Sequence, residues 1–263
     1  MSNADRPTRV GLLAPMPSEF SPLVKALSLQ RGEDGYTGRV GPIELVAAKT
    51  GIGTRLAAEA TERLLDTAAV DHVMVVGIAG GMGESAVGDV IFPEVVVDKA
   101  SGREYRPSPL HEVQSHGRLV THDDFDMQPA ECAALVANGF IAVDMETAAV
   151  AGVCERRGVR WSAVRSISDL VGVTPGDVIG LANPDGSPNV GASIRYLITK
   201  PWRIPKLVRL GLDSQRAASG AAAGAVSTLK TGCRSRMARS SSSDESGPTP
   251  SKNTPTSIFQ RRR

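Results

Sequence analysis

Apolar positions along this chain fall into short blocks and helical stripes that alternate. Val10, Leu12, Leu13 and Ala14 form a block closed by Pro15, the pattern of a buried strand entering a turn. Ser18 then precedes Phe20, Leu23, Val24 and Leu27, a helical spacing behind a capping residue. Tyr36–Val40 and Ile43–Ala48 read as strands around Gly41-Pro42, and Gly51-Ile52-Gly53 opens a helix through Asp66 with Leu56, Ala60, Leu64 and Leu65 on one face. His72–Val76 is the most apolar strand, and it breaks into a glycine-rich loop, Gly77–Gly83. The β-branched run Val90–Val97 predicts one strand. Further strands are expected at Arg118–Thr121, Ile141–Val143 and Arg160–Ile167, and helices at Pro129–Ala137 and Met145–Arg157.

Strands that alternate with helices predict an α/β fold, a mostly parallel sheet with helices on both faces. Ligands in such sheets gather beyond the carboxyl ends of the strands. That rule selects Glu19, the Gly77–Gly83 loop, Phe125, the pair Asp144 and Glu146, and Ser168-Asp169.

Composition bounds the rest. The chain has 263 residues, 41% of them hydrophobic, enough for one sizeable core. No run of apolar residues is long enough to span a membrane, and the polar start lacks the layout of a secretory signal. Three cysteines, Cys132, Cys154 and Cys233, without CxxC spacing argue against disulfides and zinc, so a reduced, cytoplasmic setting is expected. The net charge of +2 hides an asymmetry: from Lys230 onward eight Lys/Arg face two Asp/Glu. With its serine run and scattered prolines, that stretch is expected to be a disordered, solubilising basic tail, residues 231–263. The expected organisation is a flexible N-terminus over 1–8 and one domain over 9–215, its basic helical extension beginning near 190. In that extension Arg195, Lys200, Arg203, Lys206 and Arg209 interleave with Leu197, Ile198, Trp202, Ile204, Leu207, Val208 and Leu210. A lid or dimer element outweighs contact with a membrane surface as its reading, and no nucleic-acid partner is expected.

The chemistry sits in three motifs. Gly77-Ile78-Ala79-Gly80-Gly81 lets a ligand approach main-chain N–H groups, or is simply a tight turn; it is neither GxGxxG nor a Walker loop. In Val143-Asp144-Met145-Glu146-Thr147, Asp144 reads as a helix cap. Glu146 beside the apolar Met145 suits a clamp on two vicinal hydroxyls. Ser168-Asp169 reads either as a cap or as a general acid at a strand end. His111, His116 and His122 match no ligand spacing.

Taken in order, GLLAPMPSEF, KTGIGTRLAAEA, VVGIAGGMGESAVGDVIFPEVVVD, GRLVTHDDFD and VDMETAAVAGVCERRGVRWSAVRSISD resemble the purine nucleoside phosphorylase and nucleosidase superfamily, most closely the bacterial 5′-methylthioadenosine/S-adenosylhomocysteine nucleosidases. The resemblance spans about residues 9 to 170. It implies a three-layer α/β/α fold with a central mixed, mostly parallel twisted sheet. It also implies cleavage of a purine nucleoside at the N-glycosidic bond, a homodimer, and no metal or organic cofactor. By position it makes Glu19 the activator of water, Asp169 the acid on the purine imidazole ring, and Ser168 the holder of that acid. Phe125 stacks on the base, Met145 lies under the ribose and Glu146 grips its hydroxyls.

Departures from the family pattern are Ile78 where a serine is usual and Asp126 where an aliphatic residue is expected beside the base. Gly80 keeps its place in the glycine segment, and Arg55 is the only arginine near the motifs that is a candidate for holding phosphate. With Glu19 in the first-strand turn, hydrolysis is favoured over phosphorolysis. The alternatives are a phosphate-dependent phosphorylase, including a hopanoid-associated phosphorylase-like enzyme on a lipid-linked adenosine, and a catalytically silent nucleoside-binding module.

Overall fold

A computed structural model describes residues 8–32, 35–124, 127–171, 183, 189, 199, 200 and 203–243. Eleven strands form one mixed sheet: β1 (Arg9–Ala14), β2 (Gln30–Gly32), β3 (Gly35–Val40), β4 (Ile43–Lys49), β5 (His72–Gly81), β6 (Val90–Ile91), β7 (Val95–Asp98), β8 (Glu104–Tyr105), β9 (Arg118–Thr121), β10 (Phe140–Asp144) and β11 (Arg160–Leu170). The helices among the described residues are α1 (Pro17–Ala26), α2 (Thr54–Thr67), α3 (Pro129–Ala137), α4 (Thr147–Arg156) and α5 (Ile204–Ser243).

The order across the sheet is β2-β3-β4-β1-β5-β10-β9-β7-β8, with β11 alongside β5 and β6. The long ladders of β4, β1, β5 and β11 are parallel, as are those of β10, β9 and β7. Antiparallel pairing is confined to hairpins at the edges, the short β6, and the junction where the end of β5 meets β10.

Strand alternation divides the core between two faces. Leu13, Val73, Val75, Ala163 and Ile167 point with α2 and α4 into one layer. Val10, Leu12, Met74, Val76 and Val164 point with α1 and α5 into the other. The helices on both faces make this the three-layer arrangement the pattern predicts.

Four local expectations need correction. The glycine segment is not a loop: β5 continues through it to Gly81, because β11 supplies a parallel partner at every position up to that point. Likewise β11 runs past Ile167 and includes Ser168 and Asp169. The expected strand at Val90–Val97 is two, β6 and β7, broken around Pro93, which has no N–H to give to a ladder.

The fourth correction concerns the C-terminal region. Helix α5 crosses both expected boundaries, 215 and 231, and residues 244–263 of the expected tail lie outside the described residues. Helix α5 is continuous to Ser243. Ala217, Ala218, Ala221, Ala222, Ala225 and Leu229 form a fully buried stripe on it. A Cβ added at Gly224 would lie 2.9 Å from Val164 and 3.0 Å from Val90, so small side chains bring this helix unusually close to the sheet. Once the stripe anchors the helix, each added residue gains a backbone hydrogen bond at little nucleation cost, which extends it beyond the packed turns.

Candidate active site

Glu19 stands in the first turn of α1, where its side chain folds back to its own helix start. Its Oε2 accepts a hydrogen bond from Met16 N at 2.9 Å, and its Oε1 accepts one from Ile78 N on β5 at 2.8 Å. The carboxylate thus bridges α1 and the glycine segment, and it is only 2% exposed.

Arg165 is the centre of the cluster. It sits midway along β11 opposite Gly77, wholly buried. Its Nη2 pairs with Asp144 Oδ2 at 2.5 Å and Glu146 Oε2 at 3.3 Å, and its Nη1 lies 4.0 Å from Glu19 Oε1. Nη2 also donates to Thr147 Oγ1 at 2.9 Å, and Nη1 to the Ile78 carbonyl at 3.3 Å. One guanidinium is therefore surrounded by three carboxyl groups from α1, β10 and the start of α4. A Cβ on Gly77 would collide with both Arg165 Nη1 and Glu19 Oε1, so the bare backbone there is a requirement of this contact.

Asp144 caps α4, as expected, by accepting from Thr147 N, and it also takes a bond from Thr121 Oγ1 at 2.7 Å. Its pairing with Arg165 gives it a further part that the cap reading misses. Glu146 Oε1 accepts from Gly53 N at 3.1 Å, just ahead of α2. The next amide, Thr54 N, is held by Asp123 Oδ1 at 2.7 Å. Two carboxylates thus share the amides at the start of α2.

Burial dominates the electrostatics. It raises Glu19 from its ordinary value to about 7, although Arg165 and the two backbone donors pull the other way. Glu146 is also raised, first by burial, with Arg165 opposing and Asp144 and Glu19 adding repulsion. Burial works against the charge on Arg165, but Asp144, Glu146 and Glu19 outweigh it and hold its pKa above the usual arginine value.

Asp169 lies four residues beyond Arg165 on the same strand. The β11 ladder is irregular between Ile167 and Asp169, so Asp169 pairs with Gly80 while Ser168 is the inserted residue. Ser168 is buried and donates to Asp169 Oδ1 at 2.6 Å. Met145 is half-buried between Asp144 and Glu146, and Ile78 and Gly80 are half-buried on β5. Glu19, Ile78, Glu146 and Met145 are thus gathered at the ends of β5 and β10, and Ser168, Asp169 and Gly80 at the adjoining end of β11. Phe125 and Asp126 lie outside the described residues.

Two arginines reverse their expected places. Arg55 is exposed and pairs with Glu59 within α2. Arg165, which pattern reading passed over, is the arginine at the site. Its signal was available: a lone cation inside the apolar run Trp161–Ile167 must be paired if that strand is buried. Ile78 contributes through its main chain, its N–H donating to Glu19 and its carbonyl accepting from Arg165.

The sequence pattern of the phosphorylase superfamily matches residues 9–115 and 109–180. A 5′-methylthioadenosine/S-adenosylhomocysteine nucleosidase of Marinomonas sp. is 30% identical over 199 residues, which cover 62% of this chain and 86% of that protein. Its counterpart in Shewanella denitrificans is 27% identical, over 61% of this chain and 86% of its own. Among solved structures, the Neisseria meningitidis nucleosidase in complex with methylthio-immucillin-A superposes with a TM-score of 0.63 at 20% identity, covering 85% of this chain and 99% of that one. The futalosine hydrolase of Helicobacter pylori superposes with a TM-score of 0.62 at 19% identity, covering 87% and 98%. With its fold and sequence pattern in agreement, the chain belongs to the phosphorylase superfamily.

Proposed function

We propose that this chain is an N-ribosyl hydrolase that cleaves 5′-methylthioadenosine, S-adenosylhomocysteine or a close purine nucleoside and releases adenine, with water as the nucleophile. The observation that carries the choice of water is the state of Arg165. A phosphate nucleophile needs cations with unspent charge, whereas this guanidinium is enclosed by Asp144, Glu146 and Glu19. An anionic nucleophile entering there would meet carboxylates.

The same groups suit the chemistry. Cleaving the bond builds positive charge on the ribose and negative charge on the base. Glu146, facing the sugar with one oxygen on Gly53 N, accepts the ribose hydroxyls. Glu19, poised near neutrality, accepts the proton of the attacking water. Asp169 protonates the imidazole ring of the departing purine, with Ser168 fixing its orientation. Met145 lies beneath the sugar, Ile78 and Gly80 line the β5 wall, and Phe125 with Asp126 meets the base. The working form is a cytoplasmic homodimer, on the resemblance to the nucleosidases.

The reading is tested by assaying adenine release from methylthioadenosine, adenosylhomocysteine and adenosine, with futalosine as a further substrate, with and without phosphate. Turnover of methylthioadenosine or adenosylhomocysteine in phosphate-free buffer is expected. A strict need for phosphate would make the protein a phosphorylase, and tight binding without turnover would make it a silent binding module.

A further inference from the structure

The charge of this chain is divided between two parts of the molecule. Residues 1–199 carry 17 Lys/Arg against 25 Asp/Glu, a formal −8, whereas residues 200–243 carry nine Lys/Arg and only Asp213, a formal +8. Helix α5 accounts for most of that cationic segment, and it is long without being apolar enough to cross a membrane.

The helix is also divided along its length. Its middle, Ala217–Leu229, is seated on the sheet, but no described residue from Arg203 to Arg216 is buried. Val208 is 57% exposed and Leu212 is 49% exposed, two of the four large hydrophobic side chains left open among the described residues. At 100° per residue these two fall on one face with Arg209 and Arg216. Both arginine side chains are more than three-quarters exposed, and the single Asp213 serves both.

We propose that the N-terminal turns of α5 form a docking surface for an anionic lipid bilayer. The chemistry matches on two counts. Cations bordering an apolar pair place their charge at headgroup level while Val208 and Leu212 enter the acyl boundary. The acidic body is repelled by the same surface, so the charge division also sets the orientation, with α5 toward the lipid. A nucleic acid would use the cations but leaves the two apolar side chains without a role. The proposal does not depend on the reaction assigned to the active site.

The test is cosedimentation of the full chain with phosphatidylcholine vesicles, either pure or containing one-third phosphatidylglycerol. Binding to the anionic vesicles alone, reversed by high salt, is expected. Each Lys or Arg near such a surface is worth about fivefold in partitioning, so Arg209→Glu with Arg216→Glu lowers binding at least about twentyfold. Val208→Ser with Leu212→Ser lowers it about tenfold or more. Thermal melting serves as the folding control, which keeps this test separate from the activity assay. Failure to bind anionic vesicles overturns the proposal. So does equal binding to duplex DNA that ignores the serine variant, which marks a general polyanion site. A smaller assembly for the serine variant by light scattering also overturns it, because a second copy then covers the face.

Discussion

A single methyl group at position 77 would separate the two most important charges of the site. Gly77→Ala places its Cβ against both Arg165 and Glu19, and the resulting displacement is expected to cost about 1–3 kcal/mol of stability. We expect a lower melting temperature and turnover reduced beyond what the loss of folded protein explains. Asp169→Asn is the complementary case. It keeps the shape but cannot give up a proton, so turnover falls by at least about a hundredfold while melting stays near that of the parent. Near-normal turnover removes Asp169 from the role of acid.

The raised Glu19 also predicts a pH dependence. Between its ordinary value of 4.5 and its folded value of about 7 the folded protein holds a proton that the unfolded chain releases. The contribution of Glu19 to stability is therefore fully present below about 4.5 and is lost as pH rises through about 7. Melting temperatures measured from pH 5 to 8 are expected to fall, and Glu19→Gln to flatten part of that slope. The same variant should lose the rising limb of kcat/KM, because an amide cannot accept a proton from water.

At the scale of elements, α2 borrows its cap. Gly53 and Thr54 offer no side-chain cap of their own at the start of the helix. Glu146 from the β10–α4 junction and Asp123 from the segment after β9 receive the amides instead. Asp123→Ala is expected to cost about 1 kcal/mol, the usual value of a lost cap, and to raise KM more than it lowers kcat, because Asp123 lies just before Phe125. Steady-state kinetics beside a melting curve check both parts.

Much at this scale was legible in the sequence. β1, β3, β4, β9 and β10, with helices α2, α3 and α4, announce themselves by period, and the carboxylates at their ends by position. Two things were not. A glycine segment reads as a turn because nothing local shows that β11 will pair with it. Arg165 was hidden because a pattern of apolar runs gives no weight to the single cation inside one of them.

On the scale of the whole molecule, the continuation of α5 beyond residue 215 was the largest stretch missed. Alanine, glycine and serine resemble a linker in composition, yet their small size is what lets the helix close over the sheet. That helix covers the layer containing Leu12, Met74, Val76 and Val164. A chain ending at Arg234 keeps the buried stripe and is expected to melt within a few degrees of the full chain. One ending at Ser214 loses it and should show no cooperative transition by calorimetry. Retention of a sharp transition in the shorter chain would mean that the sheet face is stable when bare.

The placement of Arg165 and Asp169 on one strand has a consequence for how this protein can diversify. The interval contains the Ser168 bulge, so on the paired strand β5 it spans only Gly77 to Gly80, ~10 Å, and the ladder on either side of the bulge holds both ends in place. It acts as a fixed gauge, which reshuffled surface loops leave untouched. Any broadening of ligand choice must arise from the facing wall or from whatever closes over the opening. Mutational libraries aimed at new ligands are best directed there, with β11 held constant.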